Sequence, residues 1–374
     1  MKLLWPSNPI GLGHATRDIA LAQALLEKHP DLDIVFVSGE GGAEMFRSAG
    51  FKARADLKPL PYFEKDGVVS KHTAWFLLYY RQYKKTKKTM ARVLAEEKPD
   101  AVISDEELAT VTVAKARGLP VLMVTDITCA HFAEKGLRKR LETRLNKGMW
   151  DVLCLCDRVV IPERPEKFDD PRPPNSVLTG PVVRSTKRSR QEIRDEAGFK
   201  GPTVLACGGG SEHGSFLLRR AVEAVGRLWD GKSWPSLHVV RGPRVNELNS
   251  KAAWLTEHRF VPNLHEWVFA ADCVVTTAGK STIDEAGFYG TPFIAIPIKN
   301  HFEQEPAAKR LGTKYEDSEP DRLAELIRKR LEEPRGYPSG DPVGESPRII
   351  SDFIDAVKSA PGRAVPAASS SKSV

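Results

Sequence analysis

The stretch Cys273-Val274-Val275-Thr276-Thr277-Ala278-Gly279-Lys280-Ser281-Thr282-Ile283-Asp284-Glu285-Ala286 runs an apolar strand into a turn of small residues and on into a helix. The helix is expected to start near Ser281, so its first amides and hydroxyls, with the positive end of the helix dipole, suit a diphosphate. Glu285 follows Ser281 by four residues, about one helical turn, and can face the same ligand and accept hydrogen bonds from ribose hydroxyls. Gly290-Thr291-Pro292 then opens another strand, and Pro297-Ile298-Lys299-Asn300-His301-Phe302-Glu303-Gln304-Glu305 leaves it toward the same side. Read alone, the stretch also fits a structural turn with a capping serine or threonine.

Two further glycine loops stand after strands. In Cys207-Gly208-Gly209-Gly210-Ser211-Glu212-His213-Gly214, successive glycines expose backbone amides and Ser211 adds a hydroxyl, an arrangement suited to phosphate or a sugar edge. It lacks the Lys-Ser/Thr ending of an ATPase phosphate loop. In Pro9-Ile10-Gly11-Leu12-Gly13-His14-Ala15-Thr16-Arg17, two glycines precede a helix, and His14 at its start could act as a general base near neutral pH. Thr16 breaks the dinucleotide pattern and no acid closes the next strand cleanly, which disfavours NAD.

Short apolar strands alternate with amphipathic helices along the whole chain, the pattern of parallel α/β sheets. The fold class is therefore α/β, with two Rossmann-like domains facing a central cleft. Residues 1–183 form an acceptor-side domain and residues 184–345 a donor-side domain, divided at the proline-rich text after Arg172. A helix over residues 346–360 is expected to return to the first domain, and the Ala/Ser/Pro-rich residues 361–374 form a disordered tail.

Composition narrows the class further. The 374 residues are 41% hydrophobic and 28% charged, as in an ordinary globular protein, with a net charge of +7. No apolar run is long enough to span a bilayer, and the N-terminus is too short and proline-broken for a signal peptide, so a cytoplasmic location is expected. The five cysteines show no disulfide or zinc spacing. Residues 81–92 hold six basic residues and no acid, beside Trp75, Tyr79, Tyr80 and Tyr83; residues 135–147 hold another six against Glu142 alone. Such segments suit an anionic membrane surface, or equally a packed aromatic stripe with a solvated basic face. No nucleic-acid motif accompanies them.

Together these motifs resemble glycosyltransferases of the GT-B fold, most closely the MurG-like group with a family 28-type donor domain. The resemblance implies a UDP-sugar donor, UDP-GlcNAc-like, and a lipid-linked or glycan acceptor. Gly279, Lys280, Ser281 and Thr282 would bind the diphosphate, with Gly209, Gly210 and Ser211 opposite. Glu285 would hold the ribose, Val261 in Phe260-Val261-Pro262 would border the uracil, and Gln304 and Glu305 would contact the donor sugar. His14 would be the base and Asp105 the acid that orients it. Gly11, Gly13, Arg17, Thr128 and His131 would form the acceptor-side loops.

Glu305 replaces the family's second glutamine, and Arg17 makes a GHxxR loop like that of nucleotide-sugar hydrolases. Thr277 stands eight residues before Glu285, where retaining enzymes carry a glutamate, so inversion is expected. Neither a cofactor nor a metal is implied. A hydrolase using the same donor site, and a non-catalytic nucleotide-sugar-binding subunit, remain alternatives.

Overall fold

The computed structural model describes residues 1–60, 63–70, 72–131, 135–209, 214–229, 235–242, 247–248 and 252–360. The expected tail at 361–374 lies outside them. Two parallel sheets organise the chain.

The first sheet contains β1 (Lys2–Pro6), β2 (Asp33–Val37), β3 (Lys52–Arg54), β6 (Ala101–Asp105), β7 (Val121–Val124), β8 (Arg158–Ile161) and β9 (Ser176–Leu178), with β4 (Glu64–Lys65) and β5 (Val68–Val69) forming a separate small hairpin. Its order is β3-β2-β1-β6-β7-β8-β9. Helices α1 (Gly13–Lys28), α2 (Glu40–Ser48), α3 (His72–Glu97), α4 (Leu108–Ala116) and α5 (Gly136–Leu155) connect the strands. Both faces are covered, which is why Leu3-Leu4-Trp5 and Val121-Leu122-Met123-Val124 are apolar without alternation.

The second sheet runs β12-β11-β10-β13-β14, from β10 (Thr203–Cys207), β11 (Ser236–Val240), β12 (Leu255–His258), β13 (Cys273–Thr277) and β14 (Phe293–Ile296). Around it lie α6 (Arg190–Ala197), α7 (Ser215–Leu228), α8 (Leu264–Ala270), α9 (Lys280–Tyr289), α10 (Gln304–Arg310) and α11 (Pro320–Glu332). In each sheet the chain reverses its direction of travel once: between β1 and β6 in the first, between β10 and β13 in the second. Ligand crevices open at such points, beyond the strands' carboxyl ends. The loops after β1, β6, β10 and β13 carry the motifs singled out in the sequence.

Two elements tie the halves together. The last helix, α12 (Ser346–Ser359), returns to α1 and buries Ile349, Ile350, Phe353 and Ile354 in one core with Leu21, Leu25 and Phe36. His29 and Ser351 bond across that contact at 2.7 Å. The β4–β5 hairpin reaches the opposite way. Val69 N–H donates to the Lys299 carbonyl at 2.9 Å, Lys299 N–H to the Gly67 carbonyl at 2.8 Å, and Val69 joins the core of the second sheet. Gly67 lies so close to the Phe216 ring that a Cβ there would sit 2.6 Å from it.

Burial of α12 has a measurable consequence. Ile354→Ala removes a fully buried side chain and is expected to cost about 2–5 kcal/mol, lowering the unfolding midpoint seen by circular dichroism. An unchanged midpoint would show that α12 is not part of that core.

Candidate functional site

A cleft of about 1070 Å³ separates the two sheets and is lined by the loops after β1, β6, β7, β10, β13 and β14. The first wall begins at α1. Its N-cap, Leu12, has no side-chain cap, and Gly11 adopts φ 72° in the turn before it. His14 therefore emerges from an open helix start. Its Nδ1 lies 2.9 Å from Asp105 Oδ1, although 91 residues separate them, because β1 and β6 are neighbours. With Asp105 ionised, the ring proton sits on Nδ1 and the Nε2 lone pair is free to take a proton.

Arg17, one turn along α1, completes this arrangement. Its Nε donates to Asp105 Oδ2 at 2.9 Å and its Nη2 to Oδ1 at 2.6 Å. Burial alone would raise the Asp105 carboxyl, but Arg17 and His14 outweigh it and hold it at about 2. Arg17 thus serves the dyad from behind rather than forming a simple acceptor loop. Asp105 is correspondingly more than an orienting acid. Its neutralisation would strand a buried guanidinium, so an Asp105 variant tests folding as well as catalysis.

Two further acids join the cluster. Glu106 Oε2 lies 3.7 Å from His14 Nε2, and Asp126 Oδ1 lies 3.4 Å from Arg17 Nη1. Burial and the Asp126 carboxylate push Glu106 well above its ordinary range. Burial would raise Asp126 too, but Arg17 overrides this and holds it far below. One ligand atom each from His14, Asp105 and Glu106 falls within 4.8 Å of the others, close enough for a cation. Arg17 already brings positive charge to that spot. The other acceptor-side expectations separate: Gly11 and Gly13 line the cleft, Thr128 is buried outside its lining, and His131 bonds Asp170 at 2.8 Å on the surface. The turn after β7 presents Asp126 and Ile127 instead.

The donor-side wall starts at α9. Its N-cap Gly279 has no side-chain cap, whereas α6 closes its first turn with a Ser189 capping box. The first-turn amides of α9, with the Ser281 and Thr282 hydroxyls, are left to the cleft. Lys280, expected on the diphosphate, is engaged elsewhere. Its ammonium pairs with Glu163 at 3.0 Å and Asp284 at 2.7 Å, so it bridges the two halves. Gly209 lines the cleft at φ 78°, while Gly210 and Ser211 lie outside the described residues. Val261 borders the same space.

Glu285 is 4% exposed, and its Oε1 has no hydrogen-bond partner among the described residues. Burial pushes its carboxyl up to about 7, against the pull of Arg184, a cleft-lining residue that no local motif announced. An unpaired buried acceptor is costly unless a ligand satisfies it. Gln304 lines the cleft, but its Oε1 accepts the Ile298 N–H at 3.0 Å. Glu305 is exposed and absent from the lining, because adjacent helical residues diverge by about 100°. Glu303, also exposed, takes the cleft position instead.

The cleft's end between α3 and α5 is apolar. Trp75, Tyr79 and Tyr83, spaced at four residues on α3, face the cleft, with Trp75 and Tyr79 stacked at 5.5 Å. Leu141, Leu145, Met149 and Val152 of α5 also line it. The basic side chains Lys84, Lys85 and Lys88 are exposed. Lys84 lies over the exposed Tyr80 ring at 4.5 Å and Lys87 over the Tyr83 ring at 5.7 Å, so the basic and aromatic features of α3 meet along the helix.

Residues 203–336 match the glycosyltransferase family 28 C-terminal domain. The chain is a glycosyltransferase of the GT-B fold. An uncharacterized glycosyltransferase of Methanopyrus kandleri is 26% identical, over 86% of this chain and 92% of its own. The UDP-N-acetylglucosamine--N-acetylmuramyl-(pentapeptide) pyrophosphoryl-undecaprenol N-acetylglucosamine transferase of Carboxydothermus hydrogenoformans is 27% identical, over 82% and 81%. Among solved structures, the calicheamicin glycosyltransferase CalG4 superposes with a TM-score of 0.58 at 17% identity, covering 95% of this chain and 94% of its own. The S. aureus MnaA–UDP co-structure gives 0.62 at 15%, covering 95% and 96%. These two share the fold.

The raised Glu285 carboxyl gives the glycosyltransferase a pH signature. Hydroxyl donors at Oε1 favour the ionised form, so a ribose bound there lowers the carboxyl's pKa from about 7. UDP binding should then release a proton and tighten as pH rises from about 5 to 8. Glu285→Gln should flatten that difference and weaken UDP by roughly 10- to 150-fold. Calorimetry across pH checks both, and identical curves for the two proteins would remove Glu285 from the site.

Proposed function

We propose that this glycosyltransferase moves N-acetylglucosamine, or a closely related sugar, from UDP to a hydroxyl of a lipid-linked acceptor, with inversion. One observation carries the reading: a single cleft joins an uncapped helix start and an unpaired buried carboxylate at one end to an aromatic and aliphatic chamber at the other. The polar end suits a nucleotide diphosphate, and the apolar end suits a chain of hydrocarbon. The Carboxydothermus relative is named for the same kind of donor and a pyrophosphoryl-undecaprenol acceptor.

His14 Nε2 takes the proton of the acceptor hydroxyl while Asp105 stabilises the imidazolium. The freed oxygen attacks the anomeric carbon from the side opposite the diphosphate, whose charge gathers at the start of α9. A single displacement of this kind inverts the centre and needs no covalent intermediate. The exposed lysines of α3 and the arginines of α5 frame the chamber's surroundings and suit an anionic bilayer from which such an acceptor is drawn. No helix among the described residues is long and apolar enough to cross a membrane.

Mass spectrometry of products from a panel of UDP-sugars, with and without polyprenyl-phosphate-linked acceptors, and NMR of the anomeric proton in the product test the reading. A sugar-extended lipid of inverted configuration is the expected product; free sugar without acceptor would instead mark a hydrolase. His14→Ala should lower turnover roughly 10²- to 10⁴-fold with little change in UDP affinity. Near-normal turnover would place the base elsewhere. The protein should also float with anionic liposomes at low salt and be released at high salt. Sedimentation at both would contradict membrane docking.

A further inference from the structure

Glu106 has no part in the reaction as derived so far, yet its carboxyl is built into the cleft wall with unusual care. It follows Asp105 directly, at the carboxyl end of β6, and takes a backbone φ of 52°, the left-handed region that a glutamate rarely enters. That turn brings its side chain back beside His14. One oxygen is fixed: Oε1 accepts the Asp126 N–H at 3.0 Å and the Thr125 hydroxyl at 3.2 Å. The other, Oε2, lies 3.7 Å from His14 Nε2, and the carboxyl also shares a hydrogen bond with the Asp126 side chain.

That spacing is too long for the two atoms to bond each other. It is well matched to two adjacent hydroxyls, whose oxygens lie about hydrogen-bond distance apart, each engaging one of the two atoms. Both side chains border the cleft, with 18% and 9% of their surface exposed.

We propose that Glu106 reads a second hydroxyl of the acceptor, next to the one that His14 deprotonates, so that the site selects acceptors presenting a vicinal diol. The proposal rests on the transfer reading and adds the chemistry of the acceptor's reactive end. One hydroxyl donates to His14 Nε2 and becomes the nucleophile. Its neighbour exchanges a hydrogen bond with Glu106 Oε2. A hydroxyl both gives and takes, so the contact survives whichever Glu106 oxygen carries a proton. An acceptor with one isolated hydroxyl leaves Oε2 unpaired in a cleft that the acceptor has dried, and such unpaired groups are what allow a site to reject an analogue lacking a hydroxyl.

The test uses the full chain, UDP-N-acetylglucosamine and three amphiphilic probes: dodecyl β-D-glucoside, 1,2-dodecanediol and 1-dodecanol. Release of UDP gives kcat and KM for each. The wild type is expected to favour the two diol-bearing probes over 1-dodecanol by about 10- to 100-fold in kcat/KM. Glu106→Asn tolerates the positive φ and withdraws the side chain from His14; it should bring that ratio close to one by losing rate on the diols alone, mostly through KM. Glu106→Gln keeps its carbonyl on the Asp126 N–H and turns its NH2 toward Nε2, so it should slow all three probes. His14→Ala should slow all three alike. Equal wild-type rates on diol and monool, or an Asn variant that loses equally on both, would overturn the proposal. UDP release that ignores His14, or none with any probe, would overturn the transfer reading and the proposal with it.

Discussion

The cleft depends on one close approach. A Cβ placed on Gly13 would lie 2.7 Å from Ser281 Oγ and 3.6 Å from Ser281 Cβ, so the start of α1 meets the start of α9 closely enough that a side chain at 13 would turn the Ser281 hydroxyl aside. Two helix N-termini from different sheets, neither capped by a side chain, are brought to one point. Each contributes unsatisfied amides and the positive end of a dipole. A bound diphosphate is a natural counter-charge there, and it would touch both halves of the molecule at once. The returning helix α12 and the β4–β5 hairpin hold the halves so that this meeting persists.

Around that point the charges are sorted by neighbours rather than by residue type. Asp105, Glu106 and Asp126 are all carboxylic acids on adjacent strand ends, yet Arg17 pulls the first and third below their ordinary range while burial and Asp126 push the second above it. Glu285, with no arginine bonded to it, is pushed up to about 7 by burial. This division leaves His14 between one carboxyl held low and one pushed high. It also explains why Lys280 does not reach for a phosphate: Glu163 and Asp284 already hold it, which fastens α9 to the loop after β8.

Most of the architecture was legible in the sequence because parallel strands buried on both faces read as apolar runs. Strands β3 and β12 carry little such signal, since Lys52-Ala53-Arg54 and Leu255-Thr256-Glu257-His258 are polar edge strands with little pattern of their own. The pairing of His14 with Asp105 was legible as two strand-end residues. Glu106 was not, because its role requires a positive φ that nothing in Asp105-Glu106-Glu107 announces. Arg184 and Glu303 were hidden likewise: one enters from the connection between sheets, the other from the helix turn just before Gln304.

A crystal structure of the full chain with UDP tests the central claim most directly, because it asks whether the two helix starts form one anion site. The account predicts phosphate oxygens within hydrogen-bond reach of the first-turn amides of α9 and beside Gly13, with the ribose hydroxyls on Glu285. UDP bound with its phosphates away from Ser281 and Thr282, and with Glu285 still unpaired, would contradict it.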